Sequence, residues 1–318
     1  MQLEPLSSVG CRSGVLRLAA CLAVCTVLVL VAPSPAAAQM MMNSTEHLSF
    51  DRPESWALKY FTSATLVGGL ETPRTQKPGS VSIGLEVGWL PRLTAPQQLV
   101  GYDGTRAQDL NKAPFFPRPR VAIALPGSLT FVVAVVPPVP MFGLKTKLLA
   151  LALERPVYET PALAVGVRVY GQLGSVQGSY TCPARTVAFE PGSVGNPDGC
   201  QAASSDKATL RYAGGEASVA YRPDAPYRLS PHAAIGLAYM NVGFQVNALT
   251  FGMIDHTHYL SHGMAVFASG GLSYRLRSRL ILSTDVFYSP LSVRRGFGAP
   301  AQNDGLFNIR TLVTYRMR

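Results

Sequence analysis

"SVSIGLEVGWLPR", residues Ser80 to Arg92, alternates with a period of two. Val81, Ile83, Leu85, Val87 and Trp89 fall on one face, and Ser82, Gly84, Glu86 and Gly88 on the other. Strict alternation marks a strand whose two faces meet different surroundings. Two settings fit. In a soluble sandwich the apolar face enters the core. In a membrane barrel the apolar face meets lipid, and the small and charged residues meet a wet lumen.

The rest of the chain decides between them. Leu163, Val165, Val167 and Val169 oppose Ala164, Gly166, Arg168 and Tyr170. Leu280, Leu282, Thr284, Val286 and Tyr288 oppose Ile281, Ser283, Asp285 and Phe287. Met264, Val266, Leu272 and Tyr274 oppose Ala265, Phe267, Ser269, Gly271 and Ser273, and Phe307, Ile309, Val313 and Tyr315 oppose Asn308, Arg310 and Thr314. The second face repeatedly carries Gly, Ser and single charges. An exposed soluble face is richer in Lys, Glu and Thr, whereas Gly and Ser along one side suit a curved, closed sheet with a wet interior. Trp56, Trp89, Tyr158, Tyr239, Tyr274, Tyr288 and Tyr315 lie near segment ends, as interfacial girdles require.

These patterns predict strands at 56–68, 80–90, 118–125, 127–136, 143–153, 162–178, 208–221, 230–246, 258–275, 279–288 and 306–316. Counted back from the last strand, short gaps alternate with long ones, as short periplasmic turns and long outer loops do. Eleven strands is odd, and bacterial barrels close with an even number. The expected architecture is therefore all-β, an antiparallel transmembrane barrel of about 10–12 strands, with twelve favoured over ten. Residues 39–55 would supply either an extra strand or a plug, and 56–318 the barrel.

The first residues look like a leader. Arg12 and Arg17 precede an apolar run from Leu18 to Ala32 broken only by Thr26. The run is short for a spanning helix and long enough for a signal peptide. Ala36 and Ala38 then fit a small-residue cleavage site, giving a signal peptide over 1–38 and a cut between Ala38 and Gln39. An uncleaved anchor and a lipidated Cys21 within "LAAC" are the other readings. Cleavage removes Arg12, Arg17 and Glu4, lowering the formal charge of +10 by one. It also removes Cys11, Cys21 and Cys25, leaving Cys182 and Cys200. An even pair in an exported chain reads as a disulfide, contributing about 3 kcal/mol by loop-closure entropy. Only 14% of the residues are charged. No Lys/Arg run resembles a phosphate-tracking stripe, so nucleic acid is not an expected partner.

Taken together, the mature chain resembles the bacterial outer-membrane β-barrel superfamily. Members typically end in an assembly signal: a polar residue, a glycine two later, then two spaced hydrophobics, the last often aromatic. Asn308, Val313 and Tyr315 match it; Arg310 stands where glycine is usual, and "RMR" follows the aromatic. The resemblance implies residence in the outer membrane of a Gram-negative-type bacterium, with outer-membrane lipid and the assembly machinery as partners.

Chemistry is sparsely signalled. His256, His258 and His262 in "DHTHYLSH" would share a strand face and, with Asp255, form the one candidate metal set, against the simpler reading of a polar strand mouth. Ser261 and His262 are adjacent and point to opposite faces, so they make no nucleophile–base pair. No nucleotide loop or hydrolase elbow is present. No cofactor and no enzymatic activity are expected. Among lumen charges, Arg168, Arg310 and Arg316, joined by Arg211, would oppose Glu86 and Asp285. They form either an internal ion-pair network or a basic constriction favouring anions. The functional expectation is a passive pore or transporter for small solutes. The alternatives are a structural or adhesive barrel and, behind it, a barrel hydrolase.

Overall fold

The structure, a computed structural model, describes residues 41–222, 228–296 and 298–317. The signal peptide, its cut at Ala38/Gln39 and Cys21 lie outside the described residues. Ten long strands close on themselves. They are β1 (Val81–Trp89), β2 (Phe115–Leu125), β3 (Leu129–Val136), β4 (Leu144–Glu159), β5 (Leu163–Gly178), β6 (Asp206–Tyr221), β7 (Leu229–Gln245), β8 (His258–Arg275), β9 (Leu280–Ser289) and β10 (Leu306–Arg316). Each pairs antiparallel with its neighbours in chain order, and β10 returns to β1 through pairs such as Val313 with Leu85.

The quoted stretch is β1, and its parity is that of a membrane barrel. Ile83, Leu85, Val87 and Trp89 are exposed outward while Ser82, Glu86 and Gly88 are buried inward. The same holds on β5, β8, β9 and β10, where Val169, Val266, Val286 and Ile309 face out and Arg168, Phe267, Asp285 and Arg310 face in. Trp89, Phe115, Tyr239, Tyr288 and Phe307 ring one rim of the apolar band; Tyr158, Tyr221, Tyr274 and Tyr315 ring the other. Phe307 and Tyr315 are eight residues apart. At ~3.4 Å per residue and a tilt of roughly 40° that is about 21 Å, close to the ~25 Å band of such barrels. Turns at 126–128, 160–162 and 276–279 mark the short end, and loops 90–114, 179–205, 246–257 and 290–305 the long end.

The first expected strand, 56–68, is instead helix α1, Pro53–Ala64. Removing it from eleven leaves ten, not twelve. Pro53 sits at the first turn, where its missing donor costs nothing, and Glu54 favours the helix N-terminus. The helix carries no clear apolar stripe because it is surrounded: Ser55, Trp56, Leu58, Lys59, Tyr60, Thr62 and Ser63 are all buried. A helix packed on every side loses the amphipathic signature that sequence patterning detects. Trp56 is thus a plug residue rather than a girdle residue. The barrel wall begins at Val81, not at 56. Residues 45–47 do form a short strand, pairing in parallel with the long-loop end of β8.

The path of this segment is directional. Asp51 and Arg294 pair at the long-loop end, and the Trp56 indole donates to the Asp304 carbonyl there (2.8 Å). The Ser49 hydroxyl, and then Arg294, hold the Asp51 carboxyl below its usual range. The Thr75 amide donates to Glu159 at the short-turn end (3.0 Å). The chain therefore enters from the long-loop end, fills the lumen, and leaves at the short-turn end to start β1.

Cys182 and Cys200 are joined within the 179–205 loop. Asp206 accepts the Tyr180 and Thr181 amides (2.9 and 2.7 Å), and Arg106 bridges to Asp198 (3.0 Å). Replacing both cysteines by serine is expected to speed protease cleavage of this loop by up to about two orders of magnitude, from a local loss of about 3 kcal/mol. The barrel would remain intact by heat-modifiable migration.

Candidate functional site

The lumen divides into two zones. The inner zone is a lattice of charges tied to the plug backbone. Glu86 takes Arg118 in a forked contact (2.7 and 3.0 Å) and also pairs with Arg120. Arg168 pairs with Glu154 (2.6 Å) and Glu216. Arg310 pairs with Asp285 (3.1 Å) over the Phe287 ring. The arginines also donate to plug carbonyls: Arg118 to Leu66 (3.2 Å), Arg310 to Leu66 (2.8 Å), and Arg168 to Gly69 (3.1 Å) and Glu71 (3.0 Å). In return, the Gly69 amide donates to Glu216 (2.8 Å) and the Leu70 amide to Asp285 (3.0 Å).

Gly69 and Leu70 both have positive φ, 73° and 66°, which turns successive amides toward carboxylates. A Cβ at Gly69 would lie 2.4 Å from Asp285 Oδ2 and 2.8 Å from Arg310. Gly69→Val is therefore expected to displace the plug segment. Amide exchange over residues 65–71 would accelerate at least tenfold, because strain of about 1–3 kcal/mol adds to the clash.

Glu86, Arg168, Asp285 and Arg310 lie in the lumen, as pattern alone predicts. Arg211 does not. The inward positions on β6 are Leu210, Tyr212 and Glu216, so parity sends Arg211 outward, where it is exposed. Arg118, Arg120, Glu154 and Glu216 join Glu86, Arg168, Asp285 and Arg310 in the lumen. Their signal was available as the inward phase of "FFPRPR", "LALALE" and "GGEASV". At the constriction four acids face four arginines, so that level is charge-paired rather than basic. Arg316, on the inward phase of β10, lies nearer the short-turn end and has no ion pair among the described residues.

The expected histidine cluster does not assemble. His256 precedes β8, with its amide on the Met42 carbonyl (2.8 Å), and so does not share a strand face with the other two. His258 sits at the rim, and His262 lies exposed beside Tyr239. Among the described residues no group of three or more His, Cys, Asp or Glu is placed to share a metal ion. Ser273 contacts His232 Nδ1 (3.4 Å), but it also meets the Ser283 hydroxyl (2.8 Å), which donates to Glu71 of the plug (3.3 Å). That chain fastens plug to wall.

The outer zone is different in kind. A cavity of about 140 Å³ lies between α1 and the wall. Leu58 and Phe61 of the helix face Phe116, Val136, Leu148 and Leu210 of the barrel across it. Its few polar groups, among them Glu54, Arg106 and Asp255, lie toward the long-loop end.

No protein-family description and no curated protein sequence matches the chain. Among solved structures, several barrels are similar to it. The translocator domain of the autotransporter NalP from Neisseria meningitidis is 11% identical, with 77% of this chain and 91% of that one covered and a TM-score of 0.37. The outer membrane protease OmpT from Escherichia coli is 9% identical, with 75% and 94% covered and a TM-score of 0.36. The N-terminal β-barrel domain of Pseudomonas aeruginosa OprF is 10% identical, with 76% and 100% covered and a TM-score of 0.28. The assignment rests on the molecule itself: a closed sheet of ten antiparallel strands, an outward apolar band between two aromatic girdles, and turns short at one end and long at the other. On these features the fold is a ten-stranded antiparallel transmembrane β-barrel, consistent with the bacterial outer-membrane β-barrels.

Proposed function

We propose that the protein binds small apolar solutes in the outer half of its lumen and passes them inward when the plug shifts. It is a transporter for small solutes, but not an open aqueous pore and not an enzyme. The observation that carries this reading is the apolar cavity above a charge-paired, plugged constriction. A cavity of about 150 Å³ lined by aliphatic and aromatic side chains is large enough for benzene. The cavity here, about 140 Å³, suits a ligand of that size. A positive lumen drawing anions is not the basis of the reading, because the arginines at the constriction, Arg118, Arg120, Arg168 and Arg310, are each paired with a carboxylate.

Calorimetric titration of the detergent-solubilised barrel with toluene tests it. The expected dissociation constant is about 1 mM or tighter, within what seven heavy atoms can supply. Ala113 lines the cavity from the 90–114 loop. Ala113→Phe should fill part of the space and weaken toluene binding at least tenfold. No measurable binding to the intact barrel would leave the structural or adhesive reading in its place.

A further inference from the structure

The barrel wall has an unzipped seam beside this cavity. Strand β2 stays in register with β1 out to Phe115 opposite Trp89. On its other side, pairing with β3 stops at Arg120 opposite Ala134. Residues 115–119 therefore have a ladder partner on one side only. Strand β3 has eight residues, the fewest of the ten and fewer than the ~9–11 needed to cross a bilayer at the usual tilt. The sequence explains the gap. Pro117 and Pro119 lie on one edge, and Pro137, Pro138 and Pro140 follow β3 on the other. Each proline removes a ladder donor, and prolines confine themselves to unpaired edges. Because β1–β2 pairing continues through Pro117 and Pro119, the missing donors are felt toward β3.

Two rings close the seam. Phe115 and Phe142 meet edge to face with centroids 5.2 Å apart. Both line the cavity, and both are also exposed, by 42% and 45%. At the seam, the same two side chains thus line the interior cavity and face the surroundings of the barrel. Phe142 and Gly143 have positive φ, 55° and 75°, so the second ring rides on a tight turn. The level is that of the outer girdle, since Phe115 pairs with Trp89 and Trp89 with Ile309. Parting the rings breaks no backbone hydrogen bond between β2 and β3. An aromatic pair of this kind contributes about 0.5–1.5 kcal/mol beyond its burial, a small barrier.

We propose that the β2–β3 seam is a lateral portal, gated by Phe115 and Phe142, through which small apolar molecules dissolved in the outer leaflet reach the lumen cavity. This rests on the cavity's being a binding site, as proposed above. The chemistry favours the route. An apolar solute partitions into the bilayer, at about 0.8 kcal/mol per CH₂, so its concentration at the girdle far exceeds that above the polar loops. The loop route instead passes Glu54, Arg106 and Asp255.

Exchange of fluorobenzene with the barrel in lipid nanodiscs, followed by fluorine NMR, tests the portal. Phe115→Cys with Phe142→Cys, joined by a short bismaleimide, should slow exchange at least tenfold, with a much smaller change in affinity. Phe115→Ala, which needs no tether, should speed exchange at least fivefold. Thr105→Cys carrying a polyethylene glycol maleimide, on an exposed position of the 90–114 loop outside the cavity lining, obstructs the long-loop end and should leave the rate within twofold. An unchanged rate in the tethered and alanine variants, or slowing by the Thr105 label instead, would overturn the portal while leaving the cavity as a site. Absence of any bound fluorobenzene in the untethered barrel would overturn the cavity reading and the portal with it.

Discussion

Deleting residues 41–73 is expected to turn a silent barrel into a conducting one. In planar bilayers the intact protein should show no stable steps. The deletion should show steps at least tenfold above that baseline. Helix α1 fills the outer lumen, and the Val67–Glu71 segment fills the inner one between arginines contributed by β2, β5 and β10. Strand β1 begins only at Val81, so the wall does not depend on the deleted residues for its ladder. The constriction itself should discriminate only weakly between anions and cations. There Glu86, Glu154, Glu216 and Asp285 face Arg118, Arg120, Arg168 and Arg310 in equal number, while Arg316 adds one positive charge toward the short-turn end. Strong anion selectivity would restore the basic-constriction reading. Continued silence would mean that the wall's own side chains close the lumen.

The largest loss of stability should come from Glu86→Ala. Glu86 is fully buried, and Arg118 and Arg120 both depend on it. Removing one member of a buried ion pair costs about 3–5 kcal/mol, because the remaining charge is left uncompensated. Here two charges are left. At ~2–4 °C per kcal/mol for a chain of this size, the midpoint of the heat-modifiable gel shift should fall by about 10 °C or more. Arg211→Ala is the matched control, an exposed outward arginine whose loss should stay within about 0.5 kcal/mol. Equal shifts in the two variants would show that the lumen charges are solvated rather than locked.

Much of this was legible in the sequence. Strand parity is a local property: with a side-chain period of two, "SVSIGLEVGWLPR" assigns both its faces without knowing its neighbours. Ten of the eleven expected strands therefore match, and Glu86, Arg168, Asp285 and Arg310 sit on the face the pattern gives them. Arg211 was misplaced because Gly214 and Gly215 blur the phase of β6 on both sides. The plug was not legible, for a physical reason. Its residues are packed by wall side chains from distant parts of the chain, so Lys59 and Thr62 are as buried as Trp56 and no stripe survives. The histidines do not form a set because strand geometry begins at His258, leaving His256 outside β8. The seam was written plainly in "FFPRPR" and "VVPPVPMFG", but a proline says only that a donor is missing. Which neighbour misses it depends on register, and register is a property of the closed barrel.

The path of the N-terminal segment is the central claim, and thiol labelling at Thr45 tests it most directly. Thr45 is exposed and pairs with His258 at the long-loop end of β8. With Thr45→Cys in intact cells, a membrane-impermeant maleimide should label the barrel from outside, without permeabilisation. Labelling only after the outer membrane is opened would place the segment on the periplasmic side and contradict the threaded plug.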